Sequence, residues 1–254
     1  MQKLSKRLEA VANFVFIKNG CIADIGTDHG YLPVYLVQSG QCSRAVAMDV
    51  KPGPLERARQ HIAQNQLEQL IQVRLSDGFS SLKRGEADSA VIAGMGGMSV
   101  IQILENGLAQ LSDIKELVIG AQSDLAKVRK FLYRHRLYID REELVYEDGK
   151  FYPILHASWE KPAYQQDGRY IVFQEELKNK LPDIGLLHWS LGQYGEYLLY
   201  QKHPVFRQML ERDAAVKCQI LDSLGKTQQE KNPERRQELE RQQKGISAFL
   251  AFYN

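Results

Sequence analysis

The stretch Cys21-Ile-Ala-Asp-Ile-Gly-Thr-Asp-His-Gly30 decides how the chain is read. Cys21 to Ile25 form a short apolar run broken by one carboxylate, Asp24, and a glycine-rich turn follows at once. A buried strand that runs into such a turn and then into a helix is the opening unit of a parallel α/β sheet. The helix is predicted over Tyr31 to Gln38, with Pro33 tolerated in its first turn.

Outward from there the alternation continues. Strands are predicted over Arg44 to Val50, Ile71 to Leu75, Asp88 to Ala93 and Glu116 to Gly120. An amphipathic helix is predicted over Leu4 to Lys18, where Leu4, Leu8, Val11, Ala12 and Val15 share a face. Further helices are predicted from Pro54 to Asn65, after Gly94-Met-Gly-Gly-Met98 to about Leu108, and from Asp124 to about His135. Tyr138 to Tyr146 and Phe151 to Trp159, split by Glu147-Asp-Gly-Lys150, read as a closing hairpin. Right-handed crossovers give a parallel sheet covered on both faces, and the hairpin makes it mixed. This is the Rossmann-like plan in its class I methyltransferase form.

After Trp159 the pattern changes. Residues 160–200 are polar and irregular with some helix-like pieces, and from Pro204 the chain turns helical, with Phe206, Met209, Leu210, Val216, Ile220 and Leu224 at threes, fours and sevens. Asn232-Pro233 interrupts, and a second helix is predicted from Glu234 to Asn254. The expected arrangement is an antiparallel coiled-coil hairpin whose polar stretch, Lys226 to Lys244, is a solvated tip. Two domains are expected, 1–160 and 161–254.

The composition, 254 residues with 44% hydrophobic and 25% charged, excludes a disordered chain and a disulfide-rich scaffold. Residues 1–159 carry 19 basic and 18 acidic side chains and residues 160–254 carry 14 and 13, so each part has a net charge of +1 and neither demands a nucleic-acid partner. No stretch reaches the ~18 apolar residues of a membrane span. The opening residues lack a signal-peptide pattern, and Cys21, Cys42 and Cys218 show no paired spacing. The expected location is cytoplasmic, with no metal site and no membrane.

Ligands of open α/β sheets bind at the carboxyl ends of the strands. The first such end carries Asp24, Gly26, Asp28 and Gly30. It has two glycines but no GxGxxG, and the added carboxylate disfavours a pyrophosphate there. A zwitterionic amino acid beside a sulfonium would tolerate Asp28, which favours S-adenosylmethionine over NAD. The plainer reading is a tight turn. Asp49, 23 residues after Gly26, is spaced to accept hydrogen bonds from a ribose diol, with Val50 beside it. Asp77-Gly78 ends the third strand, where Asp can accept from an adenine amine; an Asx-Gly turn is the bland alternative. Gly94 is a further candidate for backbone contact with the cofactor, and Met95, Gly96 and Gly97 are expected to form a substrate-facing wall or a flexible connection. His29 is a candidate base or a turn residue. Tyr31 could stack a flipped base or pack on the sheet. Arg7 is a surface charge or a cofactor contact. Arg235, Arg236 and Arg241 lie among Glu234, Glu238 and Glu240, as a solvated helix or as an arm gripping a nucleic-acid backbone.

These residues resemble the TrmK family of bacterial tRNA (adenine-22-N1)-methyltransferases. The matching stretches are Leu4-Ser-Lys-Arg-Leu8, Ala23 to Pro33, Ala47-Met-Asp-Val50, Ser76-Asp-Gly78, Ile92-Ala-Gly-Met-Gly-Gly97, Ile119-Gly-Ala-Gln122 and Glu147-Asp-Gly-Lys-Phe-Tyr152. The resemblance covers the first domain by motif and the helical tail in kind. It implies methyl transfer from S-adenosylmethionine to N1 of an adenine in tRNA, and a C-terminal domain that helps hold the tRNA; no obligate protein partner is implied. Adenine N1 carries no proton to remove, so catalysis would be alignment plus a carboxylate, Asp28, accepting from the exocyclic amine. Asp28, His29 and Tyr31 are the expected catalytic residues. Three alternatives remain open at this level. One is a methyltransferase for protein or small molecules with the hairpin for dimerisation. The others are an NAD-dependent oxidoreductase and a non-catalytic RNA-binding protein.

Overall fold

The computed structural model describes residues 3–227 and 233–253. The chain divides into two compact units, Met1–Lys161 and Pro162–Asn254.

In the first unit the elements follow in order: α1 (Lys6–Asn13), β1 (Cys21–Ile25), α2 (Tyr31–Gln38), β2 (Arg44–Asp49), α3 (Pro52–Gln64), β3 (Ile71–Leu75), β4 (Ser89–Met95), α4 (Gly97–Asn106), α5 (Leu108–Leu111), β5 (Glu116–Ala121), α6 (Leu125–Arg134), β6 (Tyr138–Glu147) and β7 (Lys150–Ser158). The strands form one sheet in the order β3-β2-β1-β4-β5-β7-β6. β1 to β5 pair in parallel, and β7 enters antiparallel between β5 and β6. This is the Rossmann-like mixed sheet with its closing hairpin. β1 is buried at all five positions because it is paired on both sides and covered on both faces. Ala23 and Ile25 join a core with Val100 and Leu104 of α4 and Val128 and Leu132 of α6. Ile22 joins the other, with Val11 of α1, Val34 of α2 and Ile62 of α3.

Two expectations are corrected here. The first helix does not run from Leu4 to Lys18. Ser5 Oγ accepts the Leu8 N–H at its start, and it ends at Asn13, after which the amides of Phe16 and Ile17 donate to Glu116 of β5. The fourth strand does not stop at Ala93. A register irregularity between Ala93 and Met95 keeps Gly94 and Met95 in the strand.

The second unit holds, among the described residues, α7 (Gly168–Lys180), α8 (Ile184–Tyr194), α9 (Glu196–Tyr200), α10 (Pro204–Thr227) and α11 (Pro233–Leu250), after one 3-10 turn at Ala163–Gln166. The stretch expected to be irregular is therefore largely helical. Tyr164, Tyr170, Phe173 and Tyr200 pack ring against ring. α11 meets α10, where Gln243 Nε2 donates to the Ala214 carbonyl at 2.9 Å. It also meets α8, so closely that a Cβ on Gly245 would lie 2.3 Å from Ser190 Oγ. The α10–α11 pair is thus part of a larger helical unit. Asn232 of the predicted break, Gln228 to Lys231 of the predicted tip, and Asn254 lie outside the described residues. No described helix is long and apolar enough to cross a membrane.

Candidate cofactor and active site

A cavity of about 440 Å³ opens at the carboxyl ends of β1, β2, β4 and β5. β1 marks the point where strand order reverses, with β2 on one side and β4 on the other, which is where sheets of this topology take their ligands. Arg7, Leu8 and Val11 of α1 and Tyr152, Pro153 and Ile154 of β7 complete the wall.

The glycine-rich turn is shaped by its backbone. Gly26 has φ +82°, and its N–H and that of Thr27 both donate to the Met48 carbonyl at 2.8 Å. A Cβ at Gly26 would lie 1.9 Å from the mobile end of Met95, and the positive φ itself strains any other residue there. Gly30, at φ +65°, caps α2 and packs against Ala58 of α3.

Three carboxylates and one guanidinium line the cavity. Asp24 is 7% exposed, and burial pushes its carboxyl up to about 6. The Thr27 hydroxyl opposes that shift without reaching hydrogen-bond geometry and stays a buried orphan, while the Asp49 charge reinforces it. Asp49 accepts the Lys51 N–H on Oδ1 at 2.7 Å and lines the cavity. Asp28 sits at the mouth, 65% exposed, with Arg57 Nη2 at 2.8 Å and His29 Nε2 at 3.6 Å. Arg7 lies 5.1 Å above the Tyr152 ring and 4.0 Å from Glu147.

Arg7, Asp24, Gly26, Asp28, Tyr31, Asp49, Gly94 and Met95 are therefore brought together as lining residues. His29 stands one layer back. Its ring stacks on Tyr31 at 5.2 Å, and its carbonyl accepts from His61 Nδ1 at 3.0 Å. Val50 is exposed beyond the end of β2. Asp77 and Gly78 do not line the cavity: Ser76 Oγ donates to the Gly78 carbonyl and accepts the Ser81 N–H, the knit of a turn. Gly96 and Gly97 pack on Ser123, whose Oγ accepts the Gly97 N–H at 3.2 Å, instead of facing the cavity. Arg235, Arg236 and Arg241 are on α11 of the second unit; Arg236 pairs with Glu240, and Arg241 lies 3.5 Å from Asp183 at the start of α8. Sequence reasoning missed Thr27, Gln122 and Tyr152 as lining residues. Gln122 follows the fifth strand and was findable by the same strand-end rule.

The opposite end of the sheet holds a second buried charge cluster. Glu116 accepts the amides of Phe16 and Ile17, Ser89 Oγ at 2.6 Å and His156 Nε2 at 3.1 Å. His156 Nδ1 faces Asp140 at 2.5 Å. Burial alone would lower the His156 pKa; the bonds to Asp140 and Glu116 overcome it and hold it up at about 9.

Sheet order, switch-point cavity and acidic strand ends together define a nucleoside-cofactor enzyme of the Rossmann-like methyltransferase class, and residues 4–155 match the family described as "Methyltransferase domain". The chain belongs to that family and, within it, to the TrmK family. It is 40% identical over 156 residues to the tRNA (adenine(22)-N(1))-methyltransferase of Bacillus subtilis (strain 168), an alignment that covers 61% of this chain and 65% of that relative. The crystal structure of B. subtilis TrmK, an M1A22 tRNA methyltransferase, matches with TM-score 0.81 and 29% identity over 98% of this chain and 100% of the other. Streptococcus pneumoniae Sp1610 matches with TM-score 0.82 and 30% identity over 98% and 100%, and has also been solved with S-adenosyl-L-methionine.

Proposed function

We propose that this chain transfers a methyl group from S-adenosylmethionine to N1 of adenine 22 in tRNA. The observation that carries the reading is Asp24. A carboxylate this buried, with an orphan hydroxyl beside it and a cavity in front, is built to receive a cation from outside the chain. The amino group of a methionine moiety is such a cation. Asp49, one strand over, lines the same cavity and can accept from a ribose diol. Three carboxylates against the single Arg7 repel a pyrophosphate, which argues against a dinucleotide in the same place. The residues present therefore fit the cofactor.

When bound, the cofactor supplies a methyl group on an electron-poor sulfonium. The protein's own work is placement and electrostatics. Tyr31 forms a wall on which a planar base can stack, and an adenine must leave its stack to reach it. Asp28 can accept from the exocyclic amine and balance the charge that develops on the base. Arg57 holds the Asp28 carboxylate at the mouth. The second unit serves as the proposed tRNA-binding domain, through Arg235, Arg236 and Arg241. With tRNA as the proposed substrate, a cytoplasmic location is the expected one.

The test is incubation with cofactor and an unmodified tRNA transcript, followed by mass spectrometry of the digested nucleosides. The expected product is 1-methyladenosine, lost when adenine 22 is substituted. In the same assay Asp28→Ala removes turnover while tRNA binding persists; full turnover in that variant removes Asp28 from the mechanism.

A further inference from the structure

We propose that the outer face of α6 is a docking strip for the RNA backbone, a reading that rests on the tRNA substrate proposed above. Helix α6 contains no acidic residue, yet carries Lys127, Arg129, Lys130 and Arg134, with Arg136 just beyond its end. Two of these cations are spoken for: Lys127 pairs with Asp124 at 2.9 Å and Arg129 with Glu142 at 2.7 Å. Lys130, Arg134 and Arg136 are exposed, and their side chains make no ion pair or hydrogen bond among the described residues. Several exposed arginines of the same unit are paired, Arg57 with Asp28, Arg59 with Glu56 and Arg84 with Asp113, while Arg44 is exposed without an ion pair among the described residues. What sets α6 apart is the clustering: Lys130 and Arg134 on the helix and Arg136 just beyond it, with no acidic side chain on the helix between them.

An aromatic lies in their midst. Tyr133 is 77% exposed, higher than any other exposed large apolar or aromatic side chain among the described residues. Folding gains nothing from leaving a phenol in water. A tyrosine between lysine and arginine side chains offers a stacking surface beside phosphate contacts, the combination that binds unpaired nucleotides. Position supports the same occupant. α6 begins where β5 ends, next to the cavity-lining Gln122, and Ser123 and Asp124 at its start touch Gly97. Lys127, Lys130 and Arg134 follow at helical spacings of three and four, a row about 10 Å long leading away from the mouth. A strand whose adenine enters the cavity can lay its neighbouring phosphates along that row.

The test uses the full chain in two variants, Lys130→Gln/Arg134→Gln/Arg136→Gln and Tyr133→Ala, with tRNA affinity measured by filter binding over a range of KCl. All four sites are exposed, so thermal stability and S-adenosylmethionine affinity are expected to match wild type. The triple variant should bind tRNA about tenfold more weakly near 0.1 M salt, and its log–log salt slope should fall by about 2, since each lost phosphate contact releases fewer counterions. Tyr133→Ala should weaken binding about fivefold with the slope kept, as expected for lost stacking. In methylation, KM for tRNA rises and kcat holds. Wild-type affinity and slope in the triple variant overturn the docking strip and leave the methyltransferase reading intact. Absence of salt-dependent tRNA binding in the wild type overturns both.

Discussion

Two buried carboxylates sit at opposite ends of one sheet and are treated in opposite ways. Glu116, at the start of β5, receives two backbone amides, a serine hydroxyl and a histidine. Asp24, near the end of β1, receives almost nothing from the chain, and burial drives its pKa upward. The first has its hydrogen-bonding capacity filled from within, as a structural group does. The second has capacity left over, which is what the proposed cofactor contact at Asp24 requires. Burial alone does not separate the two; what separates them is who supplies the partners.

That contrast can be broken by mutation. Glu116→Ala leaves two amides without their acceptor and the buried His156 cation with Asp140 alone, and should cost about 3–5 kcal/mol in a denaturant titration while cofactor affinity in the folded protein is retained. Asp24→Asn should do the reverse. Cofactor affinity drops about 100-fold, roughly 2.7 kcal/mol, in calorimetry, while the ligand-free protein is more stable above pH 6. The sign follows from linkage: a carboxyl raised from 3.8 to about 6 takes up a proton on folding between those values, so its ionised form opposes the fold at higher pH. If both variants lose stability and keep the cofactor, the distinction between the ends fails.

Titration sharpens it further. His156 is raised from 6.5 to about 9, so its contribution to stability is complete below pH 6.5 and is lost as pH rises through 9. Melting curves from pH 6 to 10 should show this decline in the wild type and a flatter one in His156→Gln. Cofactor affinity should move the other way at the other end, weakening as pH falls below about 6, with no such limb in Asp24→Asn. The smallest effect is expected at Asp49→Asn, about a tenfold loss of cofactor affinity (~1.4 kcal/mol), because one of its oxygens is already held by Lys51.

How much of this was legible in the sequence depended on distance along the chain. Cys21–Ile25, Tyr31–Gln38 and Ile71–Leu75 have the bounds predicted from the sequence, because short apolar runs bounded by turn residues mark their own ends locally. The strand-end rule likewise found Asp24, Asp28 and Asp49. The end of α1 was not legible, since what draws the amides of Phe16 and Ile17 out of the helix is Glu116, about 100 positions away. Tyr152 was not legible as a lining residue either. It lies on an antiparallel strand, and only the pairing of β7 with β5 fixes where that strand places it. Asp77 satisfied the rule and is still absent from the lining; it sits in a turn that the Ser76 hydroxyl ties to the Gly78 carbonyl and the Ser81 N–H.

The position of β7 has a consequence for how the protein is made. Because it inserts between β5 and β6, the sheet has a gap until the last strand of the first unit is in place, and the wall formed by Tyr152, Pro153 and Ile154 arrives with that strand. A chain still emerging from the ribosome can assemble β1 to β4 and the glycine-rich turn, yet hold no closed cavity. The wall of the cavity is therefore completed only by the last strand of the first unit to be synthesised.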